Sequence, residues 1–276
     1  MWMTKRFIKS LGYEKTKAMY EANSIAADIT IAVNTMKTNH TGLKAELEQS
    51  GVIVKENRLV DNFLHISKTS DLSELNAFKA GLFHVMDESA AMAVSLARPQ
   101  KNMKIIDLCA APGGKSFYAS YLTENTGEIT ACDIYPHKLE LIEMGAKRLG
   151  LNVTATLSDG TVINEKWRET ADIVLFDAPC SGLGLLRRKP DIKFKKQEEV
   201  IAEMARIQRD IFQASWEYVK KGGVLLYSTC TLTEEENQEN VRFFTENYPF
   251  ESEEEKLILP QNYGTDGFYM VKLRRK

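Results

Sequence analysis

The chain has 276 residues, with 36 basic and 38 acidic side chains, a formal net charge of −2 and 43% hydrophobic residues. These values fit one large domain or two unequal ones and exclude a chain that is disordered over most of its length. The apolar runs are far shorter than the ~20 residues of a membrane-spanning helix, and the start of the chain lacks the pattern of a secretory signal. The cysteines form no C-x-x-C pair, so we expect reduced thiols, no metal site and a cytoplasmic location.

The first 80 residues mix helical and strand patterns. Apolar spacing predicts helices within residues 1–28 and 41–49, and alternation predicts a strand over 29–33. Short strands are also predicted at 52–54 and 63–66. We therefore expect a small N-terminal α+β domain over residues 1–80, followed by a larger domain over 81–276.

Strands and helices alternate regularly after residue 86. The predicted strands are 104–108, 129–133, 153–157, 173–177 and 224–228, and the predicted helices are 87–98, 115–122, 136–149 and 196–220. Such βαβ units form a mostly parallel sheet with helices on both faces. Two last strands, 253–259 and 268–273, have no predicted helix between them and should form an antiparallel hairpin. By fold analogy this is an α/β, Rossmann-like methyltransferase domain.

A glycine-containing turn lies between the first predicted strand and helix of this domain, Asp107-Leu-Cys-Ala-Ala-Pro-Gly-Gly-Lys-Ser116. In doubly wound folds such a turn lets backbone N–H groups approach a ligand, although it also occurs without one. A phosphate-binding P-loop would need a glycine at Cys109. Asp133 ends the next strand, where an acid can bind ribose hydroxyls, so the pattern favours a nucleoside-containing cofactor over a triphosphate.

Four acids follow strand ends: Asp107, Asp133, Asp159 and Asp177. Each alone is typical of a helix cap. Together they suit a cofactor with positive charges, such as S-adenosylmethionine, whose amino group and sulfonium are cationic.

Cys180 and Cys230 also lie just beyond strand ends, whereas free cysteines are more often small buried hydrophobes. That structural role fits Cys109 and Cys132 better. A thiol at a ligand-binding edge can react as its thiolate, which nearby cations or helix N-termini favour. Shortly after Cys230, the run 233–236 (Thr-Glu-Glu-Glu) has a capping-box pattern and predicts the start of a helix.

Three motifs in this order resemble the Nol/Nop/Sun (RsmB-like) family of S-adenosylmethionine-dependent RNA cytosine-5 methyltransferases. They are 107–115 (Asp-Leu-Cys-Ala-Ala-Pro-Gly-Gly-Lys), 177–182 (Asp-Ala-Pro-Cys-Ser-Gly) and 228–231 (Ser-Thr-Cys-Thr). The resemblance covers essentially the whole chain, and the pairing of Pro-Cys with Thr-Cys is specific to this family. Asn34–Thr38 and residues 87–89, 259–260 and 264–268 resemble its flanking segments.

The resemblance implies a role for each residue of these motifs. Cys230 would be the nucleophile that adds to carbon 6 of cytosine, Cys180 would help to release the product, and Asp177 would hold the ring near nitrogen 3. S-adenosylmethionine would be bound by the residues Cys109, Ala110, Ala111, Pro112, Gly113, Gly114, Lys115, Asp133, Lys138, Asp159 and Asp177.

The segment 187–196 carries six cations, one acid and one aromatic residue. Such a run is ordinarily a solvated face, but the resemblance favours contact with RNA phosphates and a base. The predicted RNA-binding residues are Arg187, Arg188, Lys189, Lys193 and Phe194. Where the family usually has Arg, Gln, Arg and Trp, this chain has Ala32, Met86, Lys138 and Phe194. None of these departures touches the proposed chemistry, but Ala32 and Met86 affect the RNA contacts carried over to the small domain.

The leading hypothesis is therefore an RNA cytosine-5 methyltransferase that acts as a monomer, without a metal, on RNA, with ribosomal RNA favoured over transfer RNA. A non-catalytic RNA-binding or ribosome-assembly factor on the same fold is the alternative from another class. A P-loop hydrolase lacks an evident set of catalytic partners, and methylation of a protein or a small molecule would leave the cysteine pair unexplained.

Overall fold

A computed structural model describes residues 2–56, 59–67 and 71–276. The helices are α1 (Trp2–Leu11), α2 (Tyr13–Asn23), α3 (His40–Gln49), α4 (Asn76–Lys79), α5 (Glu88–Ala97), α6 (Gly114–Leu122), α7 (Pro136–Leu149), α8 (Ile192–Lys195), α9 (Val200–Ser215), α10 (Gln238–Asn247) and α11 (Pro260–Tyr263). The strands are β1 (Ile29–Val33), β2 (Ile53–Glu56), β3 (Phe63–Ser67), β4 (Phe83–Val85), β5 (Lys104–Asp107), β6 (Glu128–Asp133), β7 (Val153–Leu157), β8 (Ala171–Asp177), β9 (Val219–Thr229), β10 (Phe250–Ile258) and β11 (Phe268–Arg275).

The strands form two sheets. The smaller sheet has the order β2-β3-β1-β4 and is antiparallel throughout. The larger sheet has the order β10-β11-β9-β8-β5-β6-β7. Its pairs β5·β6, β5·β8 and β6·β7 are parallel, and its pairs β9·β11 and β10·β11 are antiparallel. The predicted fold class, a mostly parallel sheet that ends in an antiparallel hairpin and a preceding α+β region, is confirmed.

Backbone contacts divide the chain into two units. Unit 1 comprises Met1–Ala27, Gly160–Thr170 and Phe176–Lys276, and unit 2 comprises Asp28–Asp159 and Ala171–Leu175. The predicted boundary near residue 80 stays a prediction. None of the helices in the described part of the chain is long and apolar enough to cross a membrane.

Unit 2 contains the small sheet and the parallel strands β5, β6 and β7. The small sheet packs its apolar side chains into one cluster, whose largest members include Ile31, Leu43, Phe63 and Phe83. Helix α5 begins where the Asp87 carboxylate accepts a hydrogen bond from the Ser89 N–H (2.9 Å). Helix α7 begins at Pro136 and ends at Gly150, whose φ of 73° suits glycine. The start of α7 at Pro136 thus fixes where the turn after β6 ends.

Unit 1 has its own apolar cores. Met3 and Phe7 of α1 and Met19 of α2 pack with Leu183 and Leu232, which belong to the loops that follow β8 and β9. In a second core of unit 1, Phe212 of α9 stacks on Phe244 of α10, with ring centroids 3.8 Å apart. The loops that carry Cys180 and Cys230 are therefore supported by buried side chains.

Two predicted elements were wrong in their extent. The helix predicted over 196–220 covers only Val200–Ser215, because a 3-10 turn at Trp216–Tyr218 leads into β9 at the buried Val219. The connection between the last two strands contains the four-residue helix α11, where none was predicted. Pro260 starts it and Gly264, with φ 70°, ends it.

Strand β10 lies at one end of the large sheet. Its outer residues are mainly acidic, with exposed Glu251, Glu253 and Glu255. Glu253 pairs with Lys272 (2.9 Å) and Arg274 (2.5 Å) of β11. This edge therefore has charged side chains along its length.

Candidate active site

Cys180 and Cys230 lie next to each other in unit 1, with their Sγ atoms 3.1 Å apart. Cys180 lies three residues after β8, and Cys230 directly follows β9. Both side chains are half-buried, and both are free thiols. The structure thus brings together two thiols that are 50 residues apart in the sequence.

The surroundings of Cys180 raise its pKa well above the ordinary value of a thiol. The hydrogen bond with Cys230 is the largest cause, followed by burial and by the negative charges of Cys230, Glu236 and Asp177. Cys180 therefore stays protonated at neutral pH, and its S–H can donate to the Cys230 sulfur. This differs from the expected effect of neighbouring cations, which would have lowered the pKa.

Asp177 ends β8 and is half-buried. The Ser228 hydroxyl, on the neighbouring strand β9, donates to Asp177 Oδ1 at 2.8 Å. Since this hydrogen bond fixes the carboxylate, Asp177 has a defined orientation at the end of the strand that leads to Cys180. The three predicted catalytic residues thus lie in the same part of unit 1.

A buried polar network lies beneath the two cysteine loops, and sequence reasoning missed it. Ser181, Gln208 and Glu236 are all buried, and Ser181 and Gln208 both donate hydrogen bonds to the Glu236 carboxylate. The helix predicted to start at the run 233–236 begins instead at Gln238, because the Glu236 side chain enters this network. One signal was available: Gln208 is a polar residue on the buried face of α9, between Ala205 and Ile211.

The glycine turn lies in unit 2, between β5 and α6. Asp107 is buried and accepts a hydrogen bond from the Ser116 hydroxyl (2.7 Å). The Ala110 N–H donates to the Cys132 carbonyl (2.7 Å), and the Gly113 N–H donates to the Ala110 carbonyl (2.7 Å). The first of these two bonds joins the turn to β6, and the second closes the turn on itself.

Only glycine fits at position 113. Its φ is 109°, a conformation that L side chains rarely adopt. A Cβ there would also meet the Phe117 ring at 2.4 Å. By contrast, a Cβ at Gly114 would meet nothing within 4 Å. The first glycine thus sets the backbone shape of the turn.

The other predicted cofactor residues of unit 2 lie after neighbouring parallel strands. Asp133 is buried at the end of β6, where it accepts a hydrogen bond from the Tyr135 N–H (3.1 Å). Lys138 Nζ lies 3.7 Å from Asp133 Oδ1, and Asp159 is exposed two residues after β7. Four residues of the glycine turn between β5 and α6 are half-buried: Cys109, Ala111, Gly114 and Lys115. Ala110 is buried and Pro112 is exposed.

The basic segment, residues 187–196, has two parts that differ in their contacts. The Arg187 guanidinium donates to three backbone carbonyls, those of Ile25, Ala26 and Gly264. Arg188 pairs with the buried Asp266 at 2.7 Å. These two arginines thus tie unit 1 together internally.

The remainder of the segment faces outward. Lys189 and Lys193 are exposed, and the Phe194 side chain is 89% exposed. An aromatic ring this exposed on a short helix contributes little to folding. Among the described residues, no group of three or more His, Cys, Asp or Glu side chains could hold a metal ion.

Comparison with known proteins identifies the relatives of this chain. The family described as "16S rRNA methyltransferase RsmB/F" matches residues 93–274, and an RsmF/B-like, ferredoxin-like domain matches residues 1–73. The chain is 34% identical to the "Probable ribosomal RNA small subunit methyltransferase B" of Bacillus subtilis. It is 32% identical to the "Ribosomal RNA small subunit methyltransferase B" of Vibrio cholerae. Both comparisons cover all of this chain, which spans 66% and 65% of the length of these relatives.

A solved structure agrees with these relatives. The "Methyltransferase Homolog Protein from Pyrococcus Horikoshii" is 25% identical and superposes with a TM-score of 0.86, covering 99% of this chain and 94% of that one. The family match extends over both cysteine loops and the glycine turn. The chain therefore belongs to the 16S rRNA methyltransferase RsmB/F family.

Proposed function

We propose that the protein transfers a methyl group from S-adenosylmethionine to carbon 5 of a cytosine in small-subunit ribosomal RNA, through a covalent adduct with Cys230. The observation that carries the proposal is the pair of thiols, Cys180 and Cys230, at 3.1 Å. Methylation of a ring carbon needs a nucleophile that first activates the base. The names of the curated relatives support the choice of small-subunit ribosomal RNA as the substrate.

The residues of unit 2 fit S-adenosylmethionine. The turn borders open space at Gly114, where a Cβ would meet nothing within 4 Å, and Asp133 is a buried carboxylate at the end of β6. Asp133 and Asp159 suit the ribose hydroxyls and the adenine, respectively. When bound, S-adenosylmethionine supplies an electrophilic methyl group on its sulfonium.

The chemistry of this chain's own residues begins at Cys230. Its thiolate adds to carbon 6 of the cytosine ring, so that carbon 5 becomes electron-rich enough to accept the methyl group. Asp177, oriented by Ser228, holds the ring near nitrogen 3, where a proton shared between its carboxyl group and the ring nitrogen neutralises the negative charge that develops. The target base has to be unstacked to reach these groups.

Release of the product uses Cys180. After water has taken the carbon-5 proton, the electron pair of that C–H bond restores the bond between carbons 5 and 6, and the Cys230 sulfur leaves carbon 6 as a thiolate. The protonated Cys180 lies 3.1 Å from that sulfur and can stabilise the departing thiolate by donating a hydrogen bond to it. The raised pKa of Cys180, due first to its hydrogen bond with Cys230, keeps the proton available at neutral pH.

Transfer of a tritiated methyl group from S-adenosylmethionine to purified RNA tests the proposed function. We expect the label in small-subunit ribosomal RNA, and bisulfite sequencing should place it at a cytosine that resists deamination. Label in transfer RNA instead would show that transfer RNA, and not ribosomal RNA, is the substrate. RNA binding without any label would support the assembly-factor alternative and contradict the proposed activity.

Exposed residues of the basic segment are proposed to bind the RNA. Replacing Lys193 with Ala should lower the slope of log affinity against log salt by about 0.7–0.9, because one phosphate contact is lost. Phe194→Ala should weaken binding to single-stranded RNA by about 1–3 kcal/mol without changing that slope, because it removes base stacking. Filter binding over a salt series measures both effects.

The matched control is Lys256→Ala, which removes a lysine from the acidic strand β10 and should leave the salt slope unchanged. If Lys193→Ala and Lys256→Ala give the same slope as the unmodified protein, the segment is a solvated face. Arg187 and Arg188 are unsuitable for this test, because their loss would disturb internal contacts.

A further inference from the structure

Glu236 is a completely buried carboxylate that the chemistry above does not use. Burying a carboxylate is unfavourable unless hydrogen bonds replace its water. Glu236 accepts four: from the Ser181 N–H (2.8 Å), the Ser181 hydroxyl, the Thr233 hydroxyl (2.9 Å) and Gln208 Nε2 (3.1 Å). All four donors are uncharged, so these contacts stabilise its negative charge without neutralising it.

The donors of this network belong to both cysteine loops. Ser181 follows Cys180 directly, and its hydroxyl lies 2.8 Å from the hydroxyl of Thr231, the residue after Cys230. Gln208 also donates to the carbonyl of Pro179 (2.9 Å), the residue before Cys180. The carboxylate thus fixes the chain on both sides of one thiol and next to the other.

We propose that Glu236 is a positioning residue that, through Ser181 and Gln208, holds the Cys180 thiol against the sulfur of Cys230. The inference rests on the proposed function, in which Cys180 acts as a protonated thiol beside Cys230. Glu236 touches neither the substrate nor the cofactor in this scheme. It keeps the sulfur atoms together while one of them gains and loses its bond to the base.

The charge of Glu236 supports the same role. The largest cause of the raised pKa of Cys180 is its hydrogen bond with Cys230. Burial of the thiol comes next, followed by the negative charges of Cys230, Glu236 and Asp177. A negative charge nearby disfavours the thiolate. Loss of the Glu236 charge should therefore lower the pKa of Cys180, an effect that a purely structural role would not produce.

The first experiment measures alkylation by iodoacetamide as a function of pH, without RNA or cofactor. The rate at each cysteine is read by peptide mass spectrometry, since only the thiolate reacts. In Glu236→Gln the midpoint for Cys180 should fall, so that alkylation at a fixed pH below both midpoints becomes faster than in the unmodified protein. The matched control is Glu234→Gln, the same substitution at an exposed position in the same turn, which should change nothing.

The second experiment measures how close the thiols are held. Glutathione disulfide oxidises the pair: two thiols become one Cys180–Cys230 disulfide, and two glutathione molecules are released as thiols. The equilibrium gives the effective concentration of one thiol at the other. We expect a loss of at least about tenfold in Glu236→Gln and a smaller loss in Ser181→Ala. The latter keeps the carboxylate charge, so any fall of its alkylation midpoint should be smaller than in Glu236→Gln.

A folded Glu236→Gln variant with an unchanged midpoint and an unchanged effective concentration would overturn the proposal. If that variant does not fold, Ser181→Ala decides, because unchanged disulfide formation in it would show that the network does not position the thiols. Neither measurement uses RNA. The positioning role can therefore hold while the methyl-transfer assay fails, or the reverse, and the two results remain distinguishable.

Discussion

Cys230→Ala is expected to abolish methyl transfer, with a loss of at least about 10³-fold, and to abolish any covalent RNA–protein species. The reason is that carbon 5 of cytosine is too electron-poor to take the methyl group until a thiolate has added to carbon 6. Cys180→Ala should instead allow the addition but slow the release. An adduct that resists denaturation should then accumulate with substrate RNA, as seen on a denaturing gel.

Two further variants make this test decisive. The double variant Cys180→Ala/Cys230→Ala should form no adduct, which shows that Cys230 is the attachment site. Cys132→Ala removes a thiol buried in β6 and should form and release adduct as the unmodified protein does. Accumulation of the adduct in Cys230→Ala rather than in Cys180→Ala would reverse the two roles. Unimpaired turnover in both single variants would contradict the covalent mechanism.

Gly113→Ala is expected to destabilise the protein by about 2–5 kcal/mol. Its φ of 109° is strained for an L residue, at about 1–2 kcal/mol, and the new Cβ would overlap the Phe117 ring, at about 1–3 kcal/mol. The ring has little room to move, because Phe117 is buried and also packs against Gly145 and His84. Urea denaturation measures the free energy of unfolding.

A matched control separates the two contributions. Gly222 also has a positive φ, 75°, but a Cβ there would meet nothing within 4 Å, so Gly222→Ala should lose only about 1–2 kcal/mol. Combining Gly113→Ala with Phe117→Leu should recover part of the difference. If Gly113→Ala and Gly222→Ala lose the same free energy of unfolding, the Phe117 ring moves aside at no cost in stability, and the predicted contribution of the overlap is wrong. Because the turn is proposed to bind S-adenosylmethionine, calorimetry should also show weaker binding in Gly113→Ala.

Local sequence patterns predicted much of the framework of the site. Parallel strands end at one edge of a sheet, so acids and cysteines that follow strands can be expected near each other. That reasoning pointed to Asp107 and Asp133, which end β5 and β6, and to Asp177, Cys180 and Cys230, which lie at or just after the ends of β8 and β9. The family motifs added the roles that remain proposals.

The buried network could not be predicted in the same way. Glu236 lies 55 residues from Ser181 and 28 residues from Gln208, and a capping-box pattern considers only neighbours within one turn. Arg187 raises the same difficulty, because its partners Ile25 and Gly264 are distant in sequence. In both cases long-range hydrogen bonds, which the local pattern does not contain, determine where the side chain goes.

The acidic strand β10 has a consequence for self-association. An edge strand leaves one row of backbone N–H and C=O groups unpaired, and these can extend the sheet into another molecule. If two copies met through β10, Glu251, Glu253 and Glu255 of each would face acids of the other, and like charges on adjacent strands are unfavourable. Acidic or highly saline conditions weaken that repulsion. Aggregation by edge-to-edge pairing is thus opposed at neutral pH by the strand's own side chains.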